Sequence, residues 1–230
     1  MRGVMQGGAL VAAAALAACA SPSSHFYTLG GADAPAPATA RTAPAPAWLI
    51  EVAPVNVPPQ VSRNQLVVQS GPTQVQLLEQ ERWASLPGDE IRRALSTDLT
   101  QQLGTLDAFG TARSDNTPVY RIAMNVQRFE SWPGSHALID AVWSVRAVRG
   151  NAVMTCRSVV GETVGSGYDA LVDGHRRALA EVSTQIASAV RAMAASGVGM
   201  AGASGAATGK AAAVVVPPCP AAGMNTGSGA

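Results

Sequence analysis

Residues 119–149, VYRIAMNVQRFESWPGSHALIDAVWSVRAVR, decide the fold. Over 119–129, Tyr120, Ile122, Met124 and Val126 alternate with Arg121, Asn125 and Gln127. Over 136–149, Ala141, Trp143, Val145 and Ala147 alternate with Asp140, Ser144 and Arg146. A period of two sends successive side chains to opposite faces, so both segments predict strands with one face in a core and one in water. On that reading Asp140 is a solvated residue. Between the strands, Trp132-Pro133-Gly134 predicts an exposed hairpin tip. Gly150-Asn151 predicts a second tight turn into a third strand over 152–164, where Val153 and Cys156 fall on opposite faces.

Toward the C-terminus the period changes. Tyr168, Leu171, Val172, His175, Leu179, Val182, Ile186 and Val190 form one apolar stripe at helical spacing, entered through the turn Gly165-Ser166-Gly167. Toward the N-terminus, Ile91, Leu95, Leu99 and Leu103 recur every fourth residue, with Arg92, Arg93, Asp98 and Gln102 elsewhere, and Gly104 is placed to stop that helix. Asp89 and Glu90 are the acids that a helix dipole favours in the first turn. Farther back, 64–70 and 73–79 flank the turn Gly71-Pro72, and 48–57 reads as an edge strand broken by Pro54. Two amphipathic helices and about six mostly antiparallel strands predict an α+β domain with the helices packed on one face of the sheet.

That domain is expected to span 48–194. Residues 195–230 are rich in Gly and Ala, with no acid after Glu181, and predict a mostly disordered tail. The apolar stretch 211–216 could add to the sheet edge as a strand. Residues 19–47 are Ser, Pro, Ala and Thr with few large apolar side chains, and predict an extended tether that holds the domain off a membrane. Within it, His25-Phe26-Tyr27-Thr28-Leu29 is an apolar island that either docks as a first strand or stays loose.

Residues 1–18 carry one charge, Arg2, before an apolar run too short to span a bilayer, which needs roughly 20 apolar residues. They read as a secretory signal. Leu16-Ala17-Ala18-Cys19 closes the run and resembles the lipobox of bacterial lipoproteins. The resemblance implies cleavage between Ala18 and Cys19 and acylation of Cys19. It also implies the outer membrane, since Ala20 stands where an Asp would favour inner-membrane retention. Each buried CH₂ is worth ~0.8 kcal/mol, so several acyl chains would hold the protein almost permanently.

Loss of Arg2 leaves basic and acidic residues in balance, and Lys210 is the one lysine. No basic stripe marks a nucleic-acid partner. With Cys19 acylated, Cys156 and Cys219 remain as a pair or as two free thiols; a disulfide between them would close about 60 residues, worth on the order of 4 kcal/mol in the chain-entropy model.

Several motifs look chemical and fail on context. Gly197-Val198-Gly199-Met200-Ala201-Gly202 matches a dinucleotide fingerprint, but follows a helix and has no acid downstream. Ser204 to Lys210 imitates a phosphate loop without its first glycine or its metal-binding hydroxyl. His25, His136 and His175 lack ligand spacing, and His175 lies on an apolar stripe, where it reads as partly buried. No catalytic residue, metal set or cofactor site is assembled.

A longer pattern runs from 51 to 103. Glu51-Val52-Ala53-Pro54-Val55 leads to Pro58-Pro59 and Arg63-Asn64-Gln65-Leu66-Val67-Val68. Gln76-Leu77-Leu78-Glu79, Arg82-Trp83-Ala84 and Pro87-Gly88-Asp89-Glu90-Ile91-Arg92-Arg93-Ala94-Leu95 follow. With the lipobox and Phe26-Tyr27-Thr28-Leu29, this resembles the PqiC-like family of ABC-transporter auxiliary lipoproteins over about 19–192. The resemblance implies a non-enzymatic outer-membrane lipoprotein that meets an MCE-domain protein of an intermembrane lipid transport system. Phospholipid and a second copy of the chain (a homo-oligomer) are further candidate partners. The tail with Cys219 departs from the shorter family pattern. Trp83 is expected in the core beside the first helix, and Trp132 at a partner or headgroup contact. A lipid-carrying chaperone-like module and a periplasmic enzyme are the rival classes, the second disfavoured because no catalytic set appears.

Overall fold

The computed structural model describes residues 23–30, 46–112, 116–150, 152–197 and 217–220. They form β1 (His25–Tyr27), β2 (Leu49–Val52), β3 (Gln65–Gly71), β4 (Gln74–Trp83), α1 (Pro87–Leu103), β5 (Val119–Trp132), β6 (His136–Ala147), β7 (Val153–Thr163) and α2 (Tyr168–Ala195). The class is α+β. The expected alternation is present: Tyr120, Ile122, Met124, Val126, Ile139, Ala141, Trp143 and Val145 are all buried. β5, β6 and β7 make an antiparallel meander, and β2 adds to β5 in parallel, giving the order β2-β5-β6-β7. A second sheet has the order β1-β4-β3, with β3 and β4 a hairpin around Gly71 and β1 parallel to β4.

Two features depart from the sequence expectation. Seven strands are present among the described residues, and two of the strand pairings are parallel. The added strand is β1, which lies inside the stretch read as tether. His25–Tyr27 pairs with Glu81–Trp83, and Leu29 beyond it is only 3% exposed. A three-residue strand is too short to show a period, and parallel pairing with a distant segment leaves no local turn signal.

α2 lies across β5, β6 and β7, and α1 packs on α2 and β2. Ile91, Leu95 and Leu99 of α1 are fully buried, each burial worth about 2 kcal/mol. Gly104 ends α1 in the left-handed conformation, φ 61°, its N–H bonded to the Thr100 carbonyl. Gly174 allows α2 to sit close on the sheet: a Cβ there would lie 2.3 Å from Val164 Cγ1 and 3.0 Å from Ala137 Cβ. Trp83, 2% exposed, meets Phe129 of β5 and His175 of α2, joining the second sheet to the first and to the long helix. Its ring contacts are therefore with β5 and α2.

The chain also closes on itself covalently. Cys156, on the buried face of β7, is bonded to Cys219, with Cα atoms 5.8 Å apart. Ala18, Cys19, most of the 195–230 tail including 211–216, Asn151 of the β6–β7 turn, and the two nucleotide-motif look-alikes beyond Gly197 lie outside the described residues.

Candidate functional site

The N-terminal segment is held by two carboxylates. Glu81 of β4 accepts hydrogen bonds from Tyr27 Oη at 2.6 Å and contacts His25 Nδ1 at 3.0 Å. The Tyr27 hydroxyl, chiefly, with His25 lowers the Glu81 pKa, and Glu81 in turn raises that of His25. Glu90, 1% exposed in the first turn of α1, accepts from Thr28 Oγ1 at 2.7 Å, the Leu29 N–H at 3.0 Å and Ser85 Oγ at 2.5 Å. Arg93 pairs with the same carboxylate at 2.6 Å and also bonds Ser85. Burial alone would raise the Glu90 pKa; the donors from Ser85, Thr28 and Leu29, with the charge of Arg93, outweigh it and hold the carboxyl below its usual range. His25 and Tyr27 thus point to Glu81, while Phe26 between them is 66% exposed beside Arg82.

At the β5–β6 turn, Trp132 is half-buried rather than exposed. Its ring stacks on His136 with centroids 5.6 Å apart, and its Nε1 donates to Glu130 at 3.2 Å. Pro133, Gly134 and Ser135 are the exposed tip, with Gly134 at φ 68°. Arg128 forks onto Glu130 at 2.7 and 3.0 Å, which lowers the Glu130 pKa. Trp132, Arg128 and Glu130 form one wall of a cleft of about 350 Å³, and Gln69, Thr73 and Val75 of the β3–β4 hairpin form another.

A larger groove, about 420 Å³, runs between the helices, with Ala94, Asp98 and Gln101 on α1 and Asp173, Arg176 and Leu179 on α2. Asp98 accepts a hydrogen bond from Ser183 at 3.1 Å, and burial raises its pKa.

Ser131 Oγ lies 2.8 Å from His175 Nε2, a nucleophile-and-base contact that sequence reading did not assemble. Both residues are buried, Ser131 at 2% and His175 at 0% exposure. His175 Nδ1, where a catalytic histidine takes an orienting acid, has no partner among the described residues. Burial pushes the His175 pKa down to about 3, so the ring is neutral. The His175 ring stacks on Phe129 with centroids 4.0 Å apart, and the pair belongs to the core. Asp140 is likewise buried, capped by Arg157 at 2.7 and 2.9 Å, instead of solvated. Among the described residues no group of His, Cys, Asp and Glu could hold a metal ion. No helix among them is long and apolar enough to cross a membrane.

Of the residues singled out from sequence, Trp132 contributes to a surface cleft and Cys156 and Cys219 are joined to each other; Ala18 and Cys19 are outside the described residues. Glu81 and Glu90 were missed. The motif around Pro87-Gly88-Asp89-Glu90 was visible, but a first-turn acid has a sufficient local reason, and only the docked β1 shows what Glu90 holds.

Comparison with known proteins returns one family. The family model described as ABC-type transport auxiliary lipoprotein component matches residues 27–187. A solved structure of an uncharacterized protein aligns with TM-score 0.58 and 18% identity, covering 74% of this chain and 99% of that one. A Xanthomonas campestris protein assigned to DUF330 aligns with TM-score 0.49 and 21% identity, over 60% of this chain and 81% of its own. At such identities the first likeness is one of fold. No curated protein matches the chain.

Proposed function

The chain belongs to the ABC-type transport auxiliary lipoprotein family, and from that premise we propose that it is a lipid-anchored docking component on the periplasmic side of the outer membrane. In this reading residues 1–18 are a signal removed before Cys19, and Cys19 carries the acyl chains. The domain meets an MCE-domain protein of an ABC-driven system that moves lipids between membranes. It performs no chemical step of its own.

The observation that supports this most directly is the burial of Ser131 and His175. The nucleophile–base contact that the fold brings together is sealed by Phe129 and Trp83, so activity would have to come from the surface. That surface offers two open features suited to a protein partner: the mixed polar and apolar groove between the helices and the polar cleft beside Trp132. Aromatic and Arg side chains are the types that anchor such contacts. Trp132, with Arg128 next to it, is the proposed partner contact.

The test is affinity capture of the full-length acylated protein from detergent-solubilised envelopes, read by mass spectrometry. The expected result is recovery of an MCE-domain protein, reduced by Trp132→Ala. Capture of no such protein by acylated, folded material would refute the docking role. Phospholipid recovered in stoichiometric amount with an anchor-free form would support a lipid carrier in its place.

A further inference from the structure

We infer that the face carrying β1 lies directly against the membrane that holds the anchor, with Phe26 and Arg82 in the headgroup layer; the inference rests on acylation of Cys19 as proposed above. The argument begins with chain length. Were the fold to begin at Trp48, the residues from Cys19 onward could reach about 100 Å when extended, and the domain could stand anywhere in the periplasm. Because β1 is paired to β4 and latched by Glu81 and Glu90, the fold holds the chain from Ser24, whose Oγ donates to Gln80 at 2.9 Å, five residues after Cys19. Five residues reach no more than about 18 Å. The polar layer of one leaflet takes up about 5–7 Å of that reach, half of what a ~40–45 Å bilayer has outside its ~30 Å hydrocarbon core. The domain can stand clear by about 10 Å at most, against about 100 Å for a free tether.

The strand register then selects the surface that faces down. His25 and Tyr27 turn to Glu81, so the side chain between them turns outward, and it is Phe26, 66% exposed. Its parallel partner in the ladder is Arg82, half-buried, whose Nε donates to the Glu79 carbonyl at 2.8 Å and whose closest carboxylate contact, with Glu79, is 3.5 Å. Leu86, 43% exposed, follows closely on Ala84, whose N–H bonds the Tyr27 carbonyl at 2.7 Å. An outward aromatic and leucine beside an arginine is the composition that settles at a bilayer interface, ring toward the acyl boundary and guanidinium toward phosphate. Leu106, 63% exposed, supplies the internal contrast. It follows the last turn of α1, whereas β1 is tied to the first, and a helix of that length separates the two by about 25 Å.

The experiment uses the full-length acylated protein in liposomes of phosphatidylethanolamine and phosphatidylglycerol. Single cysteines replace Phe26, Leu86 or Leu106; the acylated Cys19 and the Cys156–Cys219 bond leave no other thiol. Spin labels are read for collision with dissolved oxygen and with a water-soluble nickel chelate. Labels at 26 and 86 are expected to lose nickel collisions and gain oxygen collisions relative to the label at 106. Adding Phe26→Asp to the Leu86→Cys protein should return the label at 86 toward the values at 106, with the circular dichroism of the domain unchanged. Aqueous values at both 26 and 86, in protein shown by mass spectrometry to be acylated and by flotation to be bound, would overturn the inference while leaving the anchor intact. Absence of acyl chains on Cys19 would overturn the anchor reading itself, and this inference with it.

Discussion

His175 sits where both sheets meet the long helix, its Nε2 bonded to Ser131 and its Nδ1 without a partner among the described residues. Burial keeps it neutral down to about pH 3, whereas in the unfolded chain it takes up a proton near 6.5. Between those values the unfolded state binds more protons, so stability falls as pH falls, by up to roughly 5 kcal/mol at the acid end. His175→Leu removes this dependence and strands the Ser131 hydroxyl, at about 1–3 kcal/mol. The variant should therefore be less stable than the parent at pH 7, and the gap should close and reverse in urea titrations taken toward pH 4. The sequence carried half of this: the stripe placed His175 against the core, but its neighbours come from β4 and β5, which no local pattern links to it. Asp140 shows the same limit. Alternation put it on the outer face correctly, and its burial depends on the β6–β7 register, which sets Val142 opposite Arg157 and lets that guanidinium reach diagonally over the carboxylate.

The elements that sequence defined best were those long enough to repeat. The meander and both helices show their period several times over, and Gly104 ended α1 as its position suggested. β1 and the parallel pairing of β2 left no such mark, so the N-terminal edge of the fold was the part least legible. Glu90 makes that region testable. Glu90→Gln keeps one carbonyl acceptor and loses the charge that gathers Ser85, Thr28, Leu29 and Arg93, which should lower stability by about 2–4 kcal/mol. Amide exchange at Leu29 should accelerate more than that of the β5–β6 ladder. Because the folded Glu90 pKa lies below the unfolded one, this stabilisation is present above about pH 4.5 and is lost as pH falls through the folded value. The contact of α2 with the sheet gives a second prediction. Gly174→Ala improves helix propensity by about 1 kcal/mol, yet it drives a methyl into Val164. Thermal unfolding should show a net loss of about 1–3 kcal/mol, largely recovered when Val164→Ala is added.

At the scale of the whole molecule, one covalent bond spans a sequence separation of 63 residues, around α2. Its loop-closure effect is worth on the order of 4 kcal/mol, with less expected where the unfolded chain keeps structure. Dithiothreitol should lower the urea midpoint of the parent and leave that of Cys219→Ser, already low, unmoved. Spacing alone could name the pair but not join it, because which strand face Cys156 occupies and where Cys219 arrives are tertiary facts. The proposed anchor at Cys19 stands at the other extreme, since its reading uses four residues and no contact of the fold. The parallel ladder of β1 and β4 also sets a schedule. His25 is made first, and in the proposed secreted form leaves the channel first, but the glutamate it meets lies 56 residues later. A contact of that range forms late, after its partner segment has arrived. With the anchor at Cys19 as proposed, β1 stays unpaired during the interval when a modifying enzyme would need the neighbouring stretch extended, and its later docking draws the finished domain in toward the membrane.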